Sequence, residues 1–454
     1  MSHKSLIYAL LGLGLLICLA PQYGQAGVIT IDPQPYGHPM TGWEGTPELV
    51  ENPFDPAWLA TLKPRLTRLV DEVGINRIRL EIRSGSETDI QAISQFMTGQ
   101  ISYEDWKPIR YNPANDNDDP NHINWDGFDF AELDWQIEAY AMPMAQALQA
   151  RGERLYINIC YVNFREGMYF HRDPEEYAEL VLATHLHLQE KFGLRPDSWE
   201  VILEPDLMND GWTGTEIGQA IAASARRLQA YGFETKFVAP SVTDFRNAEP
   251  YFREILAVPG ATDHISEVSY HRYKGATPRR LASLAELAEG QNLPLSMLEW
   301  WFGNGQYPVL HEDLSVGRNI AWQGSSLLQH FQSGEASLAL DSPVRSYMVV
   351  NSLYFRNIRL GSRRIGATSG LFASLDPVAY VNPNGSYAVL AMASKATDVD
   401  IRGLPAGPYR IEIASETGQR LADLSHSISQ GQELQFQMPV KGVFAVVADT
   451  SSRP

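Results

Sequence analysis

Two glutamates close apolar runs, where a carboxylate is expensive to bury unless it is paired or used. Glu204 ends the apolar part of WEVILEPD (Trp199–Asp206), and the following Pro205 blocks further ladder pairing. Glu299 ends LSMLE (Leu295–Glu299) and is followed by Trp300 and Trp301. Two such carboxyls facing each other suit glycoside cleavage. One holds a proton for the leaving oxygen, and the other is ionised to attack or stabilise the anomeric carbon. The nearby ionised group keeps the acid protonated.

Such a pair needs a scaffold that brings two strand ends together. From Thr41 to about Leu360, apolar strands, polar loops and helix-period segments alternate. The strands are expected at Thr41–Gly45, Ile75–Arg83, Arg154–Asn163, Trp199–Asp206, Lys236–Val242, Ile265–Tyr273, Leu295–Trp301 and Arg345–Leu353. Helices are expected at Pro56–Val73, Phe130–Arg151, Pro174–Phe192, Thr215–Tyr231 and Ala282–Glu289. The alternation predicts a parallel sheet, and eight units fit a closed (β/α)8 TIM barrel. Reactive groups then lie at the C-terminal ends of the strands. Glu204 closes strand four and Glu299 closes strand seven, on facing sides of one mouth. The Gly-rich turn of a dinucleotide fold, a P-loop and a G-x-S-x-G elbow are all missing from the sequence.

The long interruption Ser84–Gly127, dense in Asn and Asp, reads as an irregular loop walling the cleft. Its acidic spacing misses the pattern of a calcium loop. Beyond Leu371 the texture changes to short alternating strands, with an Asn382–Gly385 turn, and predicts an antiparallel β-sandwich. A strand near Val28–Ile31 would complete it. The expected organisation is a signal peptide at 1–26, a joining strand at 27–40, the barrel at 41–365 and the β-sandwich at 366–454.

The strand-end glutamates resemble those of the clan of (β/α)8 retaining glycoside hydrolases. The added β-sandwich, GWEG (Gly42–Gly45) and SYHRY (Ser269–Tyr273) are most similar to glycoside hydrolase family 30. The resemblance implies Glu204 as acid/base and Glu299 as nucleophile. It implies Arg79 orienting the nucleophile, and Tyr270 or His271 touching the nucleophile or sugar hydroxyls. Adjacent strand residues point to opposite faces, so only one of that pair can face the mouth. Trp43, Trp300 and Trp301 become stacking candidates. The clan usually has Asn before the acid/base, whereas this chain has Leu203. The missing contact would have to come from Asn163 or Asn209. Neither organic cofactor nor metal is implied.

Each residue also has a plainer reading. Either glutamate could serve a structural salt bridge, and Arg79 could pair with Glu81. Asp206 and Asp210 read as loop carboxylates, Asp129 as a helix cap and Cys160 as a buried core thiol. His185 and His187 are two apart on one helix and do not share a face.

Length and composition bound the rest. A chain of 454 residues suits one large domain and a smaller one. A net charge of −18 disfavours nucleic acid, whose binders present a basic face. Lys4, the apolar run from Leu6 to Ala20 and Gly24-Gln25-Ala26 read as a cleaved secretory signal. A secreted or periplasmic monomer is expected, free of the membrane after cleavage. Its expected partner is an oligo- or polysaccharide, cut at β-linkages by double displacement. The competing class is a non-catalytic carbohydrate-binding barrel.

Overall fold

The structure, a computed structural model, describes residues 27–48, 53–165, 167, 170–332, 342–370 and 373–449. The expected signal segment lies outside them. No helix among the described residues is long and apolar enough to cross a membrane.

Strand β1 (Gly27–Tyr36) precedes eight strands that close into a parallel barrel: β2 (Gly42–Gly45), β3 (Arg77–Arg83), β4 (Tyr156–Val162), β5 (Ser198–Glu200), β6 (Lys236–Asp244), β7 (Ile265–Lys274), β8 (Leu295–Glu299) and β9 (Ala321–Trp322). Helices at Pro56–Arg68, Pro174–Phe192, Gly214–Ala230, Phe245–Leu256, Pro278–Glu289 and Tyr307–Ser315 lie between them. Asp55, Asp173, Thr213 and Thr277 cap four of these by accepting bonds from first-turn amides. The helix expected over Phe130–Arg151 runs from Ala131 to Gln149 through one wide turn, Ile137–Ala141.

The eighth strand departs from the sequence expectation. Arg345–Leu353 was expected to be a strand, but Ser346–Asn357 is a helix burying Met348, Val350, Leu353, Tyr354 and Phe355. A continuous apolar run fits a buried helix as well as a buried strand. The closing strand is the two-residue β9, which pairs with β2 through Gly42↔Ala321 and with β8 through Ser296↔Ala321. Strand four is also shorter than expected. Beyond Glu200 the chain alternates between its neighbours: Leu203 N–H donates to Tyr161 O (2.9 Å) and Glu204 N–H to Ser241 O (3.1 Å).

The lower barrel interior is polar. Arg77, fully buried, donates to Glu44 and Glu267, each at 2.6 Å, and Gln323 donates to Glu44 at 2.7 Å. The apolar core lies between strands and helices, around Leu66, Ile78, Trp199, Phe237 and Leu310. The stretch 84–127 is less irregular than expected. It contains the short helices Ala92–Met97 and Tyr103–Trp106, and the buried Trp106 ring stacks on Phe96 at 4.8 Å.

The C-terminal strands are β10 (Arg363–Ser369), β11 (Leu375–Val381), β12 (Tyr387–Ala393), β13 (Thr397–Arg402), β14 (Gly407–Ser415), β15 (Arg420–Ile428), β16 (Leu434–Met438) and β17 (Gly442–Ala448). With β1 they form a nine-stranded, mostly antiparallel sheet in the order β15-β14-β17-β12-β11-β10-β1-β13-β16. Its strands share a second core, including Ile29, Ile401, Ile411 and Phe444. β1 lies antiparallel to β10 and parallel to β13, so a strand from near one chain end sits inside the sheet formed near the other.

Candidate active site

Glu299 is the last residue of β8, and its carboxylate is held from two sides. Arg79 of β3 donates through Nη2 to Oε2 at 2.6 Å, and the Tyr273 hydroxyl at the end of β7 donates to Oε1 at 2.9 Å. Burial alone would lower the Arg79 guanidinium, but the charges of Glu299 and Glu200 hold it well above its ordinary value. Arg79 is therefore a permanent cation. Burial raises the Tyr273 phenol, and the charge of Glu299 and their hydrogen bond raise it further. Tyr273 thus keeps its proton and donates it.

Glu204 faces this group from the irregular end of strand four. His271 Nδ1 lies 2.9 Å from its Oε1. Burial works against charging His271, but the bond to Glu204 and the charges of Glu299, Glu204 and Glu200 outweigh it and raise its pKa above 6.5. One oxygen of Glu204, one of Glu299 and one His271 nitrogen all lie within 4.8 Å of one another. Glu204 is 8% and Glu299 6% exposed, so both are enclosed but reachable. Glu204 adopts φ 51, in the left-handed region that non-glycine residues seldom occupy, and Ser241 beside it adopts φ 54. This backbone turn presents the Glu204 carboxyl after a strand that has already lost its regular ladder.

Three carboxylate or imidazole atoms at this spacing could also hold a divalent cation. Both oxygens of Glu299, however, already meet donors, Arg79 and Tyr273, and one oxygen of Glu204 meets His271. A second cation would sit against the Arg79 guanidinium. The arrangement favours proton chemistry.

Alternation along β7 sorts the tyrosines. His271 and Tyr273 face the mouth. Tyr270 and Arg272 face the helix layer, where both meet Asp313 Oδ1, at 2.6 and 2.8 Å. Tyr270 is therefore not a site residue, and Tyr273, which the sequence reading passed over, takes the contact to the nucleophile candidate. The two-residue spacing from His271 was the available signal. The same alternation removes Trp43. Its neighbour Glu44 points into the barrel, while the Trp43 ring is fully buried, stacks on Phe355 at 4.6 Å and donates to Ile358 O at 2.6 Å. Trp300 packs against the apolar core with the Arg272 guanidinium 5.6 Å from its ring. Trp301 lies at the mouth: its indole N–H donates to Gln323 at 2.8 Å and its ring centre is 5.5 Å from the Arg79 guanidinium carbon. Phe302 beside it is 74% exposed.

Asn163 lines a recess with Glu204, Arg172 and Trp212, and its Oδ1 accepts from Arg165 N–H at 3.0 Å. Leu203 packs with Cys160, Val162, Tyr111 and Phe164, so the wall before Glu204 is apolar. Burial raises the Cys160 thiol, which stays protonated and inert. Arg83 donates to the Tyr111 hydroxyl at 2.9 Å and so ties the 84–127 stretch to the end of β3.

No family model and no curated protein matches the chain. Solved structures do match its fold. It is similar to the catalytic domain of a GH30 xylanase C from Talaromyces cellulolyticus, with TM-score 0.65, 15% identity and coverage of 93% of this chain and 100% of that one. A GH30 endoxylanase from Clostridium papyrosolvens C71 matches with TM-score 0.63, 16% identity and coverage of 93% and 100%. A monomeric β-xylosidase from Caulobacter crescentus CB15 matches with TM-score 0.55, 12% identity and coverage of 93% and 99%. The barrel and its attached β-sheet domain thus have the architecture of these glycoside hydrolases.

Proposed function

We propose that this protein is an exported glycosidase that cleaves β-linked sugars of an oligo- or polysaccharide with retention of configuration. The observation that carries the reading is the approach of Glu204 and Glu299 to within 4.8 Å across the mouth. So close an approach of one oxygen from each carboxyl suits the retaining arrangement of about 5–5.5 Å better than the about 6.5–9.5 Å of an inverting pair.

In this reading Glu299 attacks the anomeric carbon. Arg79 and Tyr273 hold both of its oxygens, leaving an ionised carboxylate aimed at one point. Glu204 protonates the leaving oxygen, then takes a proton from water as the glycosyl ester is hydrolysed. Trp301 and Phe302 offer ring faces to sugar at the rim. The similar structures support the class: two are xylanases and one is a β-xylosidase. The individual sugar is a matter for a panel of aryl β-glycosides and polysaccharides.

On whichever substrate that panel identifies, Glu299→Ala and Glu204→Ala should each lower turnover by about 10³-fold or more. Circular dichroism should show the fold retained. Wild-type turnover in either variant would refute the assignment.

A further inference from the structure

A second cleft lies at the other end of the barrel. It opens between the N-terminal strand ends and the β-sheet domain, and its volume is about 1100 Å³. Thr41 and Tyr156 place it there, because they precede or begin β2 and β4, whereas Glu299 ends β8. In a chain of net charge −18, this cleft is lined by Arg151, Arg154, Arg356, Arg359 and Arg410, against two acidic residues, Glu153 and Asp449.

These arginines differ electrostatically from those in the barrel. Arg77, Arg79 and Arg83 are raised because carboxylates outweigh their burial. Arg356 and Arg359 are lowered: burial dominates, and Arg420 and Arg410 press on the first and Arg151 on the second. Acids behind the walls take part of the charge. Glu412 pairs with Arg356 and Arg410, Glu153 with Arg359 and Arg151, Asp71 with Arg151 and Asp197 with Arg154, so each of the five arginines has a carboxylate partner. Two half-exposed arginines nevertheless keep donors to spare. Arg154 reaches its acceptors through Nη1 alone, and Arg410 through Nη2 alone. Arg154 belongs to the barrel wall and Arg410 to β14 on the sheet wall.

We propose that this cleft binds an acidic oligosaccharide, whose carboxylate or sulfate groups are held by Arg154 on one wall and Arg410 on the other. A guanidinium binds such groups through paired, charge-assisted hydrogen bonds. The volume exceeds what a lone inorganic anion needs and is at the upper end for a bound small molecule. A long polyanion would run out of the cleft onto a surface of its own sign. The site is independent of the glycosidase reading, since none of its residues belongs to the Glu204–Glu299 mouth.

The test is calorimetric titration of the full chain with oligogalacturonate at low salt, beside a neutral xylo-oligosaccharide of equal length and inorganic phosphate. Binding of the acidic oligomer should weaken with added salt and persist in a Glu204→Gln/Glu299→Gln chain. It should weaken about tenfold or more in an Arg154→Gln/Arg410→Gln chain, as loss of bonds to charged groups requires. Asn384→Trp, at an exposed turn on the cleft wall, should block it without touching an arginine. The proposal is overturned if the acidic oligomer does not bind or if both wall variants bind it as the parent does. It is also overturned if the neutral oligomer or phosphate alone binds as tightly.

Discussion

At the residue scale, the site is a set of proton donors arranged around two acids. The Tyr273 hydroxyl donates to Glu299 Oε1 at 2.9 Å and accepts from the Trp301 backbone N–H at 3.4 Å. Burial and the charge of Glu299 both raise its phenol, so it donates over the whole working range of pH. Tyr273→Phe removes a bond to a charged group, worth about 1.5–3 kcal/mol. Turnover should fall roughly tenfold to a hundredfold on that account, and single-turnover kinetics should place the loss in formation of the glycosyl ester. An unchanged rate would mean that Arg79 alone positions the proposed nucleophile. The two glutamates were legible in the sequence, because each follows an apolar run at a barrel strand end. Tyr273 was less so, since neighbouring Tyr270 offers the same chemistry and only the strand's facing decides between them. Trp43 and Trp300 show the same limit: an aromatic beside a reactive group reads alike whether it faces sugar or core.

At the scale of elements, the helix Pro174–Phe192 carries a stress of its own. Glu179 is 1% exposed and both its oxygens lack a hydrogen-bond partner. Burial raises its pKa to about 8, with Asp116, Glu176 and Glu87 adding to the rise. Glu176 is raised to about 7 by burial and by Glu87, Asp173 and Asp116. Both folded values exceed the 4.5 of a free glutamate, so the folded chain binds these protons more tightly. Their stabilising contribution is complete below pH 4.5 and is lost as the pH rises through about 7 and 8. Thermal unfolding should therefore show stability falling between pH 5 and 9, and Glu179→Gln should flatten that slope. A wild-type slope in the variant would contradict this. The cluster was not legible in the sequence, because residues 87, 116, 176 and 179 meet only through the fold. The same holds for the eighth barrel strand. Two residues, Ala321 and Trp322, carry too little period to announce a strand, while the longer apolar run beyond them invited one.

At the scale of the molecule, a repeat read from the sequence correctly indicated a closed barrel even with its last strand misplaced, because seven other units defined the pattern. The join between the chain ends was also legible, through the strand expected near Val28–Ile31. Its depth was not: β1 sits between β10 and β13 rather than at an edge. Removing residues 27–36 would leave two strand edges unpaired and strip Ile29 and Ile31 from the second core. At about 1.5–3 kcal/mol for each buried isoleucine, calorimetry should show the β-sheet domain melting well below the barrel, or the whole chain melting early. An unchanged melt would mean that β1 is dispensable.

The proposed mechanism requires above all that Glu299 form a bond to sugar. Incubation with an activated 2-deoxy-2-fluoro glycoside matched to the preferred sugar should arrest the enzyme part-way. Peptide mass spectrometry should then find one glycosyl group on Glu299, and Glu299→Gln should acquire none. Turnover of the parent glycoside without such an adduct, or an adduct on another residue, would contradict the assignment.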